Sequence, residues 1–356
     1  MDGLRVKVSA SDIIDIYEKE VSVNTKNKNK VYNFERNKIE NIYDIKNIIE
    51  NNNYKIKRYN IFTINSPKYR IVMSLNMKDK IINHYVARFI LLHRLNKYLD
   101  MRNCATRKNM GYDYAIKLLK RYIELNKKYD RFYILKIDIS KYFYSIEHDV
   151  LKELLKEKLN EEEYKIVSSI IDSTNEKYIN EVINSIKNNL LIKDKNRSEE
   201  INKLPLYAYN KGLPIGNMTS QILSVFYLYK LDYYIINNFK LKYMVRYMDD
   251  YIIISNNKDK LKKALKEIEY ILKDEYKLNI NTNKTNIYDS YHGFEYIGYM
   301  FYIRNNKTII KIKSSNKRRR NNNIKKINYL YKNNYISYQR YFNSMNNYNN
   351  SYKYIK

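Results

Sequence analysis

Cysteine, proline and glycine are all scarce in this 356-residue chain: one Cys, three Pro and six Gly. The lone Cys104 excludes an internal disulfide and a cysteine-based zinc site, and it fits a reducing compartment. No apolar run approaches the ~20 residues that span a bilayer, and no apolar signal segment opens the chain. The sequence therefore predicts a cytoplasmic protein with no membrane. Acidic residues are also few, 38 against 67 Lys and Arg, a net charge of +29. That excess is more than solubility needs and points to a polyanionic partner, nucleic acid ahead of an anionic membrane surface. What is abundant is Tyr (41 residues), with Asn, Lys and Ile, as drift toward A/T-rich codons would produce, so isolated Tyr and Asn carry little weight. At 44 % hydrophobic residues the chain can bury a core, as one multi-lobed unit or as two to three small domains.

Against this basic background, two adjacent carboxylates stand out in Arg246-Tyr-Met-Asp249-Asp250-Tyr-Ile-Ile-Ile-Ser255. Met244–Tyr247 and Tyr251–Ile254 read as two short strands with Asp-Asp at the joint. Asp tolerates turn geometry, and a lone Asp-Asp pair is more often a solvated turn than a site. Here a third carboxylate has a similar setting. The apolar run Phe132–Ile139 reads as a buried strand delivering Asp138 at its end. A strand end beside a hairpin tip would bring three repelling carboxylates together, which is costly unless a cation is present. Two Mg²⁺ ions about 4 Å apart suit nucleotidyl transfer and need few carboxylates beside substrate phosphates.

With these motifs the sequence resembles a reverse transcriptase. Tyr-Met-Asp249-Asp250 lies between apolar strands, and Asp138-Ile-Ser-Lys-Tyr-Phe143 lies upstream. Between them is Gly212-Leu-Pro-Ile215-Gly216-Asn-Met-Thr-Ser220-Gln221, similar to the family's nucleotide-pocket motif. Leu278–Thr285 and Gly293-Phe-Glu-Tyr-Ile-Gly298 follow in the family's order. With Cys104-Ala-Thr-Arg107-Lys108-Asn-Met-Gly111, similar to the family's second fingers motif, five of the six glycines fall in such motifs: Gly111, Gly212, Gly216, Gly293 and Gly298.

The resemblance implies an α+β fold, a right-hand polymerase with fingers, palm and short helical thumb. The expected divisions are 1–130 for the mostly helical N-terminal region and fingers, 131–303 for the palm and 304–356 for the thumb. It implies two Mg²⁺ ions on Asp138, Asp249 and the Ile139 carbonyl, with Asp250 supporting. Arg70 would contact the incoming triphosphate through its planar fork of donors. Lys284 would act as general acid toward pyrophosphate. Phe143 would lie beneath the sugar and exclude a 2′-hydroxyl. Ile215, Gly216 and Gln221 would line the nucleotide pocket. Arg107 and Lys108 would meet the template backbone, Gly293 would belong to a primer-gripping turn, and Lys317, Arg318, Arg319 and Arg320 would track the primer–template from the thumb. Interleaved Tyr329, Tyr331, Tyr335, Tyr338 and Tyr341 suit such a role. His84 and His93 read as packing or polar-face residues rather than ligands.

Local expectations accompany these roles. Ser9 or Ser11 caps a first helix. Helices run over 79–99, from 111 to about 128, from Leu213 through about Ile236, and over Lys258–Lys277. Ser145–His148 caps a helix over Asp149–Leu159. The charged stretch Asn175–Lys203, part of a connection over about 173–210, reads as extended and carries no chemistry.

The form Ile-Gly-x-x-x-Ser-Gln, in place of Gln-Gly-x-x-x-Ser-Pro, resembles the enzymes of diversity-generating retroelements, which miscopy template adenines. Ile removes a hydrogen-bonding group from the pocket wall, which should loosen selection. The partners implied are template RNA, cDNA, deoxynucleoside triphosphates and a small basic ring-forming accessory protein, in a bacterial, phage or archaeal cytoplasm. The sequence shows neither a nuclease pattern after the thumb nor a Val-Thr-Gly signature, which disfavours group II intron and retron enzymes. Two alternatives remain: a defence-associated reverse transcriptase with its own non-coding RNA, and a non-catalytic RNA-binding scaffold.

Overall fold

A computed structural model describes residues 8–51, 54–305 and 307–350. Residues 1–7 and 351–356 of the expected N-terminal and thumb regions lie outside them. The described chain opens with helices Ala10–Ile16, Lys28–Glu35 and Lys38–Glu50. Ser9 is the first N-cap, its side chain accepting the Ser11 N–H. Ile13, Ile16, Tyr17 and Val21 recur at helical spacing and are buried.

Next comes the hairpin of β1 (Asn60–Ile64) and β2 (Arg70–Ser74), in register Ile61↔Met73 and Thr63↔Ile71. The expected 79–99 helix starts earlier, at Met77, where the Asn76 side chain accepts the Asp79 N–H. It widens into a π turn over Val86–Leu91. A helix at Tyr112–Asn126 leads to the central sheet: β3 (Tyr133–Ile137), β4 (Met244–Tyr247), β5 (Asp250–Ser255) and β6 (Asn286–Asp289). Its order is β4-β5-β3-β6, antiparallel throughout.

This sheet is buried on both faces, which is why its strands read as continuous apolar runs rather than as alternation. Leu135, Ile137, Met244, Tyr251 and Ile253 face one core, packed with helices Met218–Tyr227 and Lys258–Asp274. Ile134, Val245, Ile252 and Ile254 face another, with Leu119 and Ile123 of the Tyr112–Asn126 helix. That second core also takes Phe294, Tyr296 and Phe301 from a three-stranded sheet, β7 (Phe294–Tyr296), β8 (Tyr299–Arg304) and β9 (Lys307–Ile312). The expected division at 303/304 therefore cuts β8, and the C-terminal helical unit starts only at Ser314. That unit is the pair Ser314–Lys332 and Tyr338–Asn350, joined by the Tyr331–Tyr341 ring stack at 4.5 Å. No residue of Ser314–Lys332 is buried, so ring contacts rather than a core hold the pair. Among the described residues no helix is long and apolar enough to cross a membrane.

Three expectations fail on local grounds. Asn175–Lys203 is not extended; it holds helices Lys177–Lys193 and Ser198–Asn202. Ile179 and Ile183 are buried at i,i+4 spacing, and the Asn/Lys content concealed that stripe. The helix after the pocket motif starts at Met218, not Leu213, and breaks at Leu228 before Tyr229–Asn237. The helix expected over Asp149–Leu159 runs His148–Lys156 with Glu147 at its N-cap. Ser145 does not cap it, because its hydroxyl donates back to the carbonyls of Ser140 and Lys141.

Candidate active site

Asp138 is the first residue past β3, and Asp249 sits in the turn joining β4 to β5. Because β3 pairs with β5, with Ile137 opposite Tyr251, the strand end and the turn lie side by side. The turn is Met248-Asp249 rather than Asp249-Asp250. Asp250 already belongs to β5, paired with Tyr247. Asp138 and Asp249 both line an open cavity of about 370 Å³; Asp250 does not.

Met248 has φ +57°, a left-handed conformation that costs a bulky residue roughly 1–2 kcal/mol. A buried guanidinium holds it there. Arg246 Nη1 donates to the Met248 carbonyl at 2.9 Å and Nη2 to the Val225 carbonyl at 3.0 Å. Its charge is met by Asp232, 2.8 Å from Nε, and Asp232 also accepts the Tyr251 hydroxyl at 2.9 Å. Arg246 and Asp232 are 0 % and 1 % exposed. The sequence reading missed this pair. Its cue was an Arg inside an apolar strand, two residues before the turn, which demands an acid somewhere in the core.

The cavity gathers most of the residues expected there. Arg70, the first residue of β2, lines it with Ile139, Phe143, Ile215 and Lys284. Lys284 Nζ lies 3.0 Å from Asp138, and Asn281 Nδ2 donates to the same carboxylate at 2.9 Å. Asn281 was not foreseen, nor were Tyr69, Lys141, Tyr142, Tyr144, Leu204 and Pro205, which complete the wall. Phe143 is placed by a clasp between its own segment and the pocket motif: its carbonyl accepts the Leu213 N–H at 2.7 Å, and the Ile146 carbonyl accepts that of Gly212 at 2.8 Å. Buried His148 is within 2.8 Å of the Gly212 carbonyl through Nε2.

Ile215 is tied to the Arg70 hairpin, its carbonyl accepting the Met73 N–H at 2.9 Å. At Gly216 (φ +116°) a Cβ would come within 3.0 Å of Val72 Cγ1 and 3.3 Å of the Met73 carbonyl. The close approach that needs glycine is thus made by β2. Gln221, half-buried on the Met218–Tyr227 helix, does not line the cavity. Arg107, expected at a template backbone, is spent inside the protein on the carbonyls of Leu99, Asp100 and Asn103, while Lys108 is exposed. At Gly293 a Cβ would strike the Tyr302 ring, so the glycine lets β7 lie against β8. Lys317 and Arg318 are exposed on the Ser314–Lys332 helix; Arg319 donates to the Asn316 side chain and Arg320 to the Tyr348 carbonyl. These basic residues stand apart from the cavity wall.

The carboxylates are electrically strained. Burial pushes the pKa of Asp249 up to about 6, and the charge of Asp138 adds to this. Burial also pushes Asp250 up to about 7, with Asp249 the next cause. Lys284 eases both but does not cancel them. Among the described residues no three His, Cys, Asp or Glu side chains close into a metal cage. The donor set nonetheless fits Mg²⁺, which prefers hard carboxylate oxygens and completes its shell with water and phosphate. Burial first, and neighbouring carboxylates next, make ionisation of Asp249 and Asp250 costly, a cost that a bound cation relieves.

Residues 56–301 match the sequence model of the family described as reverse transcriptase (RNA-dependent DNA polymerase). Among solved structures, apo telomerase from Candida tropicalis truncated from its C-terminal domain is similar at TM-score 0.48 and 17 % identity, over 72 % of this chain and 55 % of that one. Apo telomerase from the same organism gives 0.47 and 17 %, over 73 % and 49 %. Candida albicans telomerase in complex with a TWJ fragment of telomeric RNA gives 0.45 and 15 %, over 74 % and 46 %. The chain spans about half the length of these telomerases. No curated protein matches.

Proposed function

The chain belongs to the reverse transcriptase family, and from that premise we propose that it is an RNA-directed DNA polymerase that copies a template RNA into cDNA. The observation that carries the reading is the shared cavity of Asp138 and Asp249, with Arg70, Phe143 and Lys284 on its wall. Asp138, Asp249 and the Ile139 carbonyl would hold two Mg²⁺ ions, with Asp250 behind them. When bound, these ions supply charge stabilisation to the attacking 3′-hydroxyl and to the leaving pyrophosphate. Arg70 would bind the triphosphate, and Lys284, whose Nζ lies 3.0 Å from Asp138, would deliver its proton toward the leaving group. Phe143 excludes the 2′-hydroxyl. Residues 1–130 serve as N-terminal region and fingers and 131–313 as palm, and the basic helical unit from Ser314 serves as thumb against the primer–template. The scaffold alternative is weaker, because a pure binder gains nothing from strained carboxylates beside nucleic acid. Asp249→Ala should abolish Mg²⁺-dependent extension of a DNA primer on RNA while RNA binding persists. Undiminished extension by that variant would overturn the reading.

Within the family, we place the chain with diversity-generating retroelements, acting with a ring-forming basic partner. The supporting residue is Ile215, an aliphatic group on the nucleotide wall where a Gln would offer hydrogen bonds. Wild type should misincorporate opposite template adenine more than opposite other bases, and Ile215→Gln should narrow the gap. Equal fidelity at all four template bases would move the chain to the defence-associated reading.

A further inference from the structure

Residues 177–202 have no part in the chemistry above, yet they are fastened to the hairpin that carries Arg70. Three of their charged side chains converge on the hairpin tip. Arg197 donates to the Asn65 carbonyl at 2.9 Å, and its guanidinium covers the Tyr69 ring, 4.2 Å from the centroid. Glu200 accepts the Tyr69 N–H at 2.5 Å and pairs with Arg197 at 2.9 Å. Asp194 accepts the Tyr69 hydroxyl at 2.9 Å. Nearer the hairpin base, the Tyr178 hydroxyl accepts the Tyr59 N–H at 2.8 Å. Just beyond this segment, Leu204 and Pro205 form part of the cavity wall that Tyr69 and Arg70 share.

A two-stranded hairpin of five-residue strands is marginal alone, and Phe62 and Ile64 on this one are exposed. Its inner edge is fixed by the Ile215–Met73 bond, but its tip is held by the three charged residues. A guanidinium meeting a phosphate through two parallel bonds tolerates little misplacement. We propose that Asp194, Arg197 and Glu200 are positioning residues that set Arg70 over the nucleotide cavity, so that the 177–202 segment determines the affinity for the incoming triphosphate. The proposal rests on the reading that Arg70 contacts that triphosphate.

The test is primer extension by the full chain on a synthetic RNA template annealed to a DNA primer, with dTTP varied. Arg197→Ala should raise KM for dTTP about tenfold with little loss of kcat. Tyr69→Phe removes only the Asp194 bond and should raise KM by a smaller factor in the same direction. Arg70→Ala should raise KM too, and adding Arg197→Ala to it should do no further harm, because the two act through one contact. A loss of general fold integrity would instead lower kcat and would persist in the Arg70→Ala background. Unchanged KM in Arg197→Ala and Tyr69→Phe, with Arg70→Ala impaired, overturns the positioning role alone. Multiplying effects of Arg70→Ala and Arg197→Ala overturn it as well. Unchanged KM in Arg70→Ala overturns the triphosphate contact, and the proposal with it.

Discussion

Replacing Arg246 by Met separates what the buried ion pair does for folding from what it does for catalysis. Arg246→Met leaves Asp232 in the core without its cation and strips a donor from the Met248 and Val225 carbonyls. Breaking one partner of a buried pair costs about 3–5 kcal/mol. At about 2 cal/mol/K of unfolding entropy per residue, 356 residues give roughly 0.7 kcal/mol/K, so a loss of about 4 kcal/mol lowers Tm by about 6 °C. The triple variant Arg246→Met, Asp232→Leu, Tyr251→Phe removes the stranded charge and the stranded hydroxyl together. Apolar replacement of a whole buried ionic cluster is often neutral or better, so its Tm should return to within about 2 °C of wild type. Extension activity should not return. Without the Nη1 bond to Met248, the left-handed turn relaxes and Asp249 shifts from Asp138, a misplacement that costs on the order of 100-fold. The assay pairs thermal melts with single-nucleotide extension at saturating primer–template. Near-wild-type kcat in a stable triple variant would show that the guanidinium only folds the core and does not aim Asp249.

Three further outcomes follow from the same geometry. Phe143→Ala should raise ribonucleotide relative to deoxynucleotide incorporation under single-turnover conditions, and an unchanged ratio would make Phe143 ordinary cavity lining. Burial, helped by the charge of Asp138 at Asp249 and of Asp249 at Asp250, raises their folded-state pKa values to about 6 and 7, above the unfolded value of 3.8. Their ionisation therefore costs stability above about pH 7, and that cost fades as pH falls toward 4. Mg²⁺ should raise Tm more at pH 8 than at pH 5.5, with apparent affinity climbing through pH 6–7; a pH-independent shift would contradict the strained-pair account. Finally, the +29 charge should make RNA affinity fall steeply with salt through counterion release, and a flat dependence of log K on log [salt] would place that charge away from the nucleic acid.

Much of the site was legible because its chemistry is written in short, ordered segments. Asp138 after an apolar run, Asp249 between two apolar runs and Phe143 five residues past Asp138 are local patterns. Both flanks of the Met248-Asp249 turn followed from periodicity, and the α+β class from the resemblance that the motifs carry. Other readings failed where compositional drift hid a pattern, as in the Lys177–Lys193 helix, whose Ile stripe sits among Asn and Lys. Still others failed because a residue type does not state its partner. The resemblance put Arg107 at a template backbone, yet three backbone carbonyls of its own loop claim it. Gly216 was expected on the nucleotide pocket wall, yet the close approach there is made by Val72 and Met73 of β2.

The sequence by itself determined the family, the strand-borne carboxylates and the side chains available to the chemistry, since these depend on residue type and spacing along one chain. The resemblance already ranked Asp249 above Asp250; the tertiary structure supplied the reason, because the turn is Met248-Asp249 and Asp250, one residue on in β5, falls outside the cavity lining. Only the tertiary structure joined Arg246 to Asp232 across 14 residues and Tyr69 to Asp194 across 125. Such pairings arise from how helices and strands pack in three dimensions, and no spacing along the chain encodes them.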